Sequence, residues 1–270
     1  MTIEFQQFEH DGWQAAASDY AKQWTELTSS VAPHLLRAAE VEKGTRLLDV
    51  ACGPGHLANA AHLEGASVVG VDFSDRMVEI ARVAHPHLDI REGNAEQLQF
   101  DDESFDAVVM SFGMLHLDNP TQAIAETARV LRPGGRFAFT VWATPEHAKG
   151  FQLVLDAIGK HGTKVDLPSG PDFFAYADPQ RVKTDLEASG LDKVESRQID
   201  MTWKLTRTND VYPAFFKGTA RTGALLRAQD TAARTLIEKE ICEQAQAFVT
   251  RGGTVEIPMV AVMSYGHKPT

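Results

Sequence analysis

The sequence predicts an α/β fold: a doubly wound, mostly parallel sheet of seven strands, with helices on both faces and a helical cap. Three observations predict it. From Leu47 onward, short apolar runs alternate with helical patterns, the signature of βαβ units. Runs such as SVVGVD and FDAVVMS are β-branched and apolar without alternation, as in strands covered on both faces. A glycine turn, ACGPG, joins the first such run to a helical pattern, the junction where open α/β sheets bind their ligands.

The strands are predicted at Arg46–Val50, Ser67–Asp72, 88–92, Phe105–Ser111, 136–142, 193–200 and 259–265. Helices fall between them at 56–64, 75–84 and 120–131, the last closed by Pro133, Gly134 and Gly135. Ahead of the first strand, residues 14–41 read as one or two helices split near Pro33. After the fifth strand, 179–189 reads as a helix. About 50 residues then separate the last two strands, too many for a tight hairpin. Their helical patterns, 208–228 and 229–249, read as a cap over the site. The expected division is lid helices at 1–42, a core at 43–200 and 254–270, and a cap insertion at 201–253.

A chain of 270 residues, 43% hydrophobic, can bury a sizeable core. Its net charge is −11 and no run of Lys and Arg could track a phosphate backbone, which disfavours nucleic acid as a partner. Cys52 and Cys242 are too few for a disulfide framework, and no H-x-x-x-H or H-E-x-x-H pattern indicates a metal. The polar, acidic MTIEFQQFEHDGW lacks the marks of a signal peptide, and no apolar stretch has the length of a membrane span. The expectation is a cytoplasmic protein without membrane or nucleic-acid partners, of unspecified oligomeric state.

The segment LLDVACGPGHLA runs strand, glycine loop, helix, and its residues formally suit two cofactors. Gly53, Gly55 and Ala58 match G-x-G-x-x-A, with Asp72 about 20 residues on as a ribose-binding acid, the dinucleotide fingerprint. Against a dinucleotide, Pro54 removes a backbone donor from a loop meant to cradle pyrophosphate, and Asp49 sets a carboxylate beside it. Both features suit a phosphate-free cofactor bearing an amine and a sulfonium, which is S-adenosylmethionine.

LLDVACGPG, VVGVDFS, GNAEQLQF, FDAVVMSFGMLHL and RVLRPGGRF, in this order and spacing, resemble the motif series of class I S-adenosylmethionine-dependent methyltransferases with their Rossmann-like fold. They are most similar to the small-molecule group that includes the ubiquinone/menaquinone-biosynthesis C-methyltransferases. The resemblance runs from Arg46 to Trp142 and fades on either side.

The resemblance implies roles residue by residue. Asp49 and the loop 51–55, with Ala51, Cys52, Gly53 and Gly55, would meet the methionine end of the cofactor. Asp72 would accept both ribose hydroxyls, and Phe73 and Met77 would flank the adenine. Asn94 and Ala95 would read the adenine edge, with Glu96 beside them. The Ser111 carbonyl would take the amino group, and Phe112 and His116 would border the transferring methyl, with His116 as the candidate general base. Ala51 stands where glycine is common and Asn94 where aspartate is, so the Asn94 bond to adenine would lack charge assistance.

Blander readings stand beside these. Asp49, Asp72 and Asn94 also suit turns and caps. Cys52 suits close backbone packing better than nucleophilic chemistry, despite its place at a helix start. His116 is either a satisfied loop histidine or a contact to cofactor or acceptor. Tyr20 and Trp24, a helical turn apart, either close over the methionine end or pack their helix on the core. In PDFFAYADP and VYPAFFKGTARTGALLRAQ, Tyr176, Tyr212 and Arg221 either line an acceptor pocket or belong to an ordinary amphipathic cap.

The activity expected is in-line transfer of the sulfonium methyl to an O, N, S or C atom of a small-molecule acceptor. The rivals are an NAD-dependent oxidoreductase on the same fold and a non-catalytic S-adenosylmethionine-binding module.

Overall fold

The computed structural model describes residues 2–270. Helices α1 (Thr2–Gln23), α2 (Thr25–Ser29) and α3 (Ala32–Ala38) precede the sheet, with Pro33 in the first turn of α3. The first helix begins well before residue 14, where the sequence placed it. Its opening turns look polar, yet Phe5, Glu9 and Trp13, each a turn apart, are buried.

Strands β1 (Arg46–Val50), β2 (Ser67–Asp72), β3 (Asp89–Glu92), β4 (Phe105–Ser111), β5 (Leu131–Trp142) and β6 (Asp192–Ile199) follow. The short β7 (Thr202–Leu205) and β8 (Val255–Pro258) pair with each other, and β9 (Ala261–His267) ends the series. The main sheet has seven strands in the order β3-β2-β1-β4-β5-β9-β6. The first five strands of the chain lie parallel, and β9 enters antiparallel between β5 and β6. This is the doubly wound, mostly parallel sheet the sequence predicts. Leu47, Leu48, Val108 and Val109 in its centre are 0% exposed, which explains their unbroken apolar runs.

Between the strands lie α4 (His56–Leu63), α5 (Asp75–Ala84), α6 (Pro120–Val130), α7 (Lys149–His161) and α8 (Pro179–Ala188). Ser74 caps α5 by accepting the Met77 amide, and Asn119 caps α6 ahead of Pro120. Pro133-Gly134-Gly135 forms no loop after α6: it lies inside β5, where the register against β4 jumps from Phe105↔Leu131 to Ala107↔Arg136. Gly134 takes the left-handed conformation there, with φ +79°. The helix α7 is an element the sequence reading did not contain.

The excursion between β6 and β9 opens on β7 and closes on β8. It carries α9 (Val211–Gly218), α10 (Arg221–Arg227) and α11 (Thr231–Ala245). Phe215, Leu226, Ile237 and Ile241 of these helices are 0% exposed and belong to the same apolar core as the sheet. In contrast, Trp13, Ala16 and Ala17 of α1 join only a small satellite cluster with Met77 and Ala220. No described helix is long and apolar enough to cross a membrane.

Candidate active site

The sheet order reverses between β1 and β4, so the loops leaving their carboxyl ends diverge and open a crevice. Both loops start with a residue forced into the left-handed region: Ala51 after β1 and Phe112 after β4, each at φ 54°. Two such strained residues side by side are characteristic of a site held in shape by its surroundings. Gly113 makes room for them, because a Cβ there would stand 2.7 Å from that of Ala51.

Asp49 lies at the floor of this crevice, 1% exposed, and neither carboxylate oxygen has a hydrogen-bond partner. Burial pushes its carboxyl up to about 8, the nearby Asp72 charge adds to the rise, and the Ala58 amide opposes it without a hydrogen bond of normal geometry. Asp72 ends β2, 5% exposed. Its oxygens accept the Gly53 amide at 2.8 Å and the Ser74 amide at 3.0 Å, which stitches the glycine loop to the second strand. Burial pushes this group up to about 6, against the pull of those amides. Two buried acids with few neighbouring cations make an interior that favours a positively charged ligand.

Above them is a cleft of about 700 Å³, walled by Ala51, Gly53, Asp72, Phe73 and Met77 on one side and by Asn94–Glu96, Ser111, Phe112 and His116 on the other. A narrower extension reaches down past Ala51, Cys52, Gly53 and Ser111 to Asp49. Helix α1 roofs the cleft with Gln6, Trp13 and Tyr20. A second, smaller chamber adjoins, lined by Trp24, Trp142, Phe151, Phe173, Thr219 and Arg221. Trp13, Tyr20, Phe112 and His116 border both spaces and form the passage between them.

Several residues singled out from sequence thus surround one cavity, while others take different places. The Asn94 side-chain carbonyl accepts the Glu96 amide at 2.8 Å, a turn within its own loop. Glu96 accepts the Asp118 and Asn119 amides at 2.9 and 3.0 Å, bracing the segment after His116. Cys52 packs over Gly70, and burial pushes its thiol well above the ordinary range, so it is an inert packing residue. Tyr20 reaches both spaces, and Trp24 lines the second chamber while stacking on Trp203 at 4.7 Å and donating to the Ala214 carbonyl. Gly55, at φ +82°, turns the loop into α4.

Tyr176 and Tyr212 line neither space. Tyr176 donates to Asp185 at 2.7 Å, and Tyr212 stacks on Phe216. Arg221 does reach the chamber, but the acid nearest it is Glu9 of this chain, 3.5 Å away. Glu9 is 0% exposed and lies 2.9 Å from His116. Sequence reading missed it, because on the helical stripe Phe5-Glu9-Trp13 the carboxylate counts as polar and masks the buried face. Among the described residues, no cluster of three or more His, Cys, Asp or Glu could hold a metal ion.

A sequence profile described as a methyltransferase domain matches residues 48–139. The demethylmenaquinone methyltransferase of Clavibacter sepedonicus is 32% identical over 176 residues, covering 60% of this chain and 72% of that protein. That of Chlorobaculum tepidum is 43% identical over 97 residues, covering 36% of this chain and 40% of its own length. Among solved structures, phosphoethanolamine N-methyltransferase 2 of Haemonchus contortus, in complex with S-adenosyl-L-methionine, has TM-score 0.58 and 18% identity. It aligns with 98% of this chain over 60% of its own. The YcgJ protein of Bacillus subtilis has TM-score 0.56 and 20% identity, over 89% of this chain and 99% of its own. At such identities the likeness is one of fold.

The chain belongs to the class I S-adenosylmethionine-dependent methyltransferases. Within them it is of the small-molecule type similar to the ubiquinone/menaquinone-biosynthesis C-methyltransferases, and it transfers a methyl group from S-adenosylmethionine to a small-molecule acceptor by in-line displacement.

Proposed function

We propose that the acceptor is a hydroxylated aromatic ring, bound in the chamber between Trp142, Phe151 and Phe173, and that His116 takes its proton. The observation that carries this reading is the lining of the chamber: Trp142 stacked on Phe112 and Phe151 tilted against Phe173, with His116 bordering both this space and the cofactor cleft. Its similarity to demethylmenaquinone methyltransferases supports the same chemistry.

The cleft fits the cofactor. The orphaned Asp49 carboxylate suits its amino group, and the Ser111 carbonyl lies within the same extension. Each Asp72 oxygen keeps a free lone pair beyond the loop amides, sufficient for two ribose hydroxyls. Phe73 and Met77 wall the adenine. Because Asn94 spends its carbonyl on the Glu96 amide, the Ala95 amide carries more of the adenine edge. Bound S-adenosylmethionine supplies an electrophilic methyl on a good leaving group, so the protein's part is largely orientation and water exclusion. With the cofactor bound, Asp49 and Asp72 would hold the group that supplies the methyl, and His116 would take the acceptor's proton.

The division into lid, core and cap at 1–42, 43–200 with 254–270, and 201–253 belongs to this proposal. The satellite packing of α1 supports it as the element that opens. The cap shares the main core, which favours a fixed wall over a gate.

A mass-spectrometric screen for +14 Da products tests the reading, with catechol, 1,4-dihydroxynaphthalene, and amine and thiol controls. Methylation of the hydroxylated rings is expected. Turnover of amines or thiols alone would remove the aromatic acceptor.

A further inference from the structure

Glu9 is the least expected residue of the site. Its carboxylate is wholly buried, Oε2 stands 2.9 Å from His116 Nδ1, and Oε1 makes no hydrogen bond. Burying a carboxylate is costly unless charge or hydrogen bonds compensate it. Arg221 supplies the charge, its Nε 3.5 Å from Oε1. That guanidinium is itself held by the Pro171 carbonyl at 3.0 Å and between the rings of Phe5 and Phe173. One carboxylate thus joins three parts of the chain: the roof helix α1, the loop after β4, and the start of α10.

The geometry points to Glu9 as the positioning residue for His116, delivered by α1, so that the base is complete only when the roof is docked. This rests on the reading that His116 accepts the acceptor's proton. An ionised carboxylate can only accept, so the 2.9 Å contact needs a proton on Nδ1. A neutral imidazole carrying its proton there has its lone pair on Nε2. Trp13 and Phe173 clamp the ring edge-on, with centroids at 4.7 and 5.7 Å, so it cannot swing to offer the other nitrogen. His116 borders both the cleft and the chamber, and Nε2 is the atom left to face the acceptor.

In the transfer, an acceptor O–H loses its proton to Nε2 as oxygen or the conjugated ring carbon bonds to the methyl. The C–S bond breaks with its pair on sulfur. Glu9 gives up nothing and balances the imidazolium that forms. When α1 lifts, the carboxylate leaves with it, and an open site loses its tautomer control. Two of the groups that exclude water, Trp13 and Tyr20, leave on the same helix.

The test uses the full chain with ¹⁵N-labelled histidine and saturating S-adenosylhomocysteine, H116Q assigning the signal. The wild type should show His116 protonated at Nδ1 and unprotonated at Nε2. E9L, which removes the acceptor, should lose that preference and slow methylation of 1,4-dihydroxynaphthalene about 100-fold, with S-adenosylhomocysteine affinity changed less than about threefold. An Nε2-protonated wild type, or an unchanged tautomer in E9L, overturns the assignment and leaves Glu9 as a counter-charge for Arg221. If the tautomer shifts in E9L but H116Q turns over normally, the pairing stands and the base reading beneath it falls. Should E9L fold poorly, R221Q serves as the second variant: it removes the competing charge and should leave the Nδ1 proton in place, and a proton moved to Nε2 there overturns the assignment.

Discussion

Replacing Asp49 by asparagine should make the ligand-free protein more stable and the enzyme worse. Asp49 is 1% exposed without a hydrogen bond, and burial holds its carboxyl near 8 rather than at 3.8. Below about pH 4 the group is neutral in both folded and unfolded chains and costs nothing. As pH rises from about 4 to 8 the unfolded chain ionises it while the fold does not, so the penalty grows with pH and levels off above about 8. The full shift corresponds to about 6 kcal/mol at most, and relaxation in a cleft open to water reduces this to roughly 2–4 kcal/mol. Urea unfolding of Asp49→Asn should therefore show a gain of that size at pH 8 that shrinks toward zero by pH 4. The same variant should bind S-adenosylhomocysteine about 2 kcal/mol more weakly, the worth of one charge-assisted bond. Calorimetry near pH 7 should show the wild type releasing close to one proton per ligand bound, and the variant much less. If the variant were no more stable at pH 8 than at pH 4, relative to wild type, the idea of Asp49 as a destabilising acid kept for a cationic ligand would be refuted.

Asp72→Ala should weaken cofactor binding by about 2–4 kcal/mol, since two hydrogen bonds to one carboxylate are lost together, and Asn94→Ala by about 1 kcal/mol or less; a costlier Asn94→Ala in calorimetry would reverse the assignment of ribose and adenine contacts. Gly113→Ala should cost roughly 1–3 kcal/mol of stability and distort the cleft, because the new methyl meets Ala51 and Met110 at 2.7–2.8 Å; an unchanged urea midpoint would mean these loops yield easily. Phe173→Ala should raise KM for 1,4-dihydroxynaphthalene about tenfold or more while leaving the dissociation constant of S-adenosylhomocysteine within about twofold, and the opposite pattern would place the acceptor elsewhere.

The parallel strands were legible because their physics is local. A strand covered on both faces must be apolar at every position, and SVVGVD and FDAVVMS are. The crevice followed from the glycine turn between β1 and α4. What the sequence hid depends on partners distant in the chain. Residues 4–11 of α1 look solvated because Glu9 counts as polar, although Arg221 and His116, more than a hundred residues away, receive it. Tyr176 and Tyr212 sat in aromatic-rich segments that resembled a pocket wall, but Asp185 and Phe216 claim their side chains. The Pro-Gly-Gly turn misled for a related reason: whether it ends a helix or kinks a strand is decided by pairing with β4, which no local pattern records.

The latch of α1 has an evolutionary consequence. Gln14 ties the helix by hydrogen bonds to the segment after Asp72: its carbonyl accepts the Ser74 hydroxyl at 2.7 Å and the Arg76 amide at 3.1 Å, and its amide donates to Asp75. Besides that tie, the satellite cluster and its packing against α9 and α10, α1 offers Gln6, Trp13 and Tyr20 to the cavity and Glu9 to the histidine behind it. Residues that meet the acceptor can therefore mutate on α1 without touching the strands that hold the cofactor. Any exchange of α1 has to keep Gln14 for the tie to the cofactor strands and Glu9 for the histidine, which leaves Gln6, Trp13 and Tyr20 as the positions free to vary.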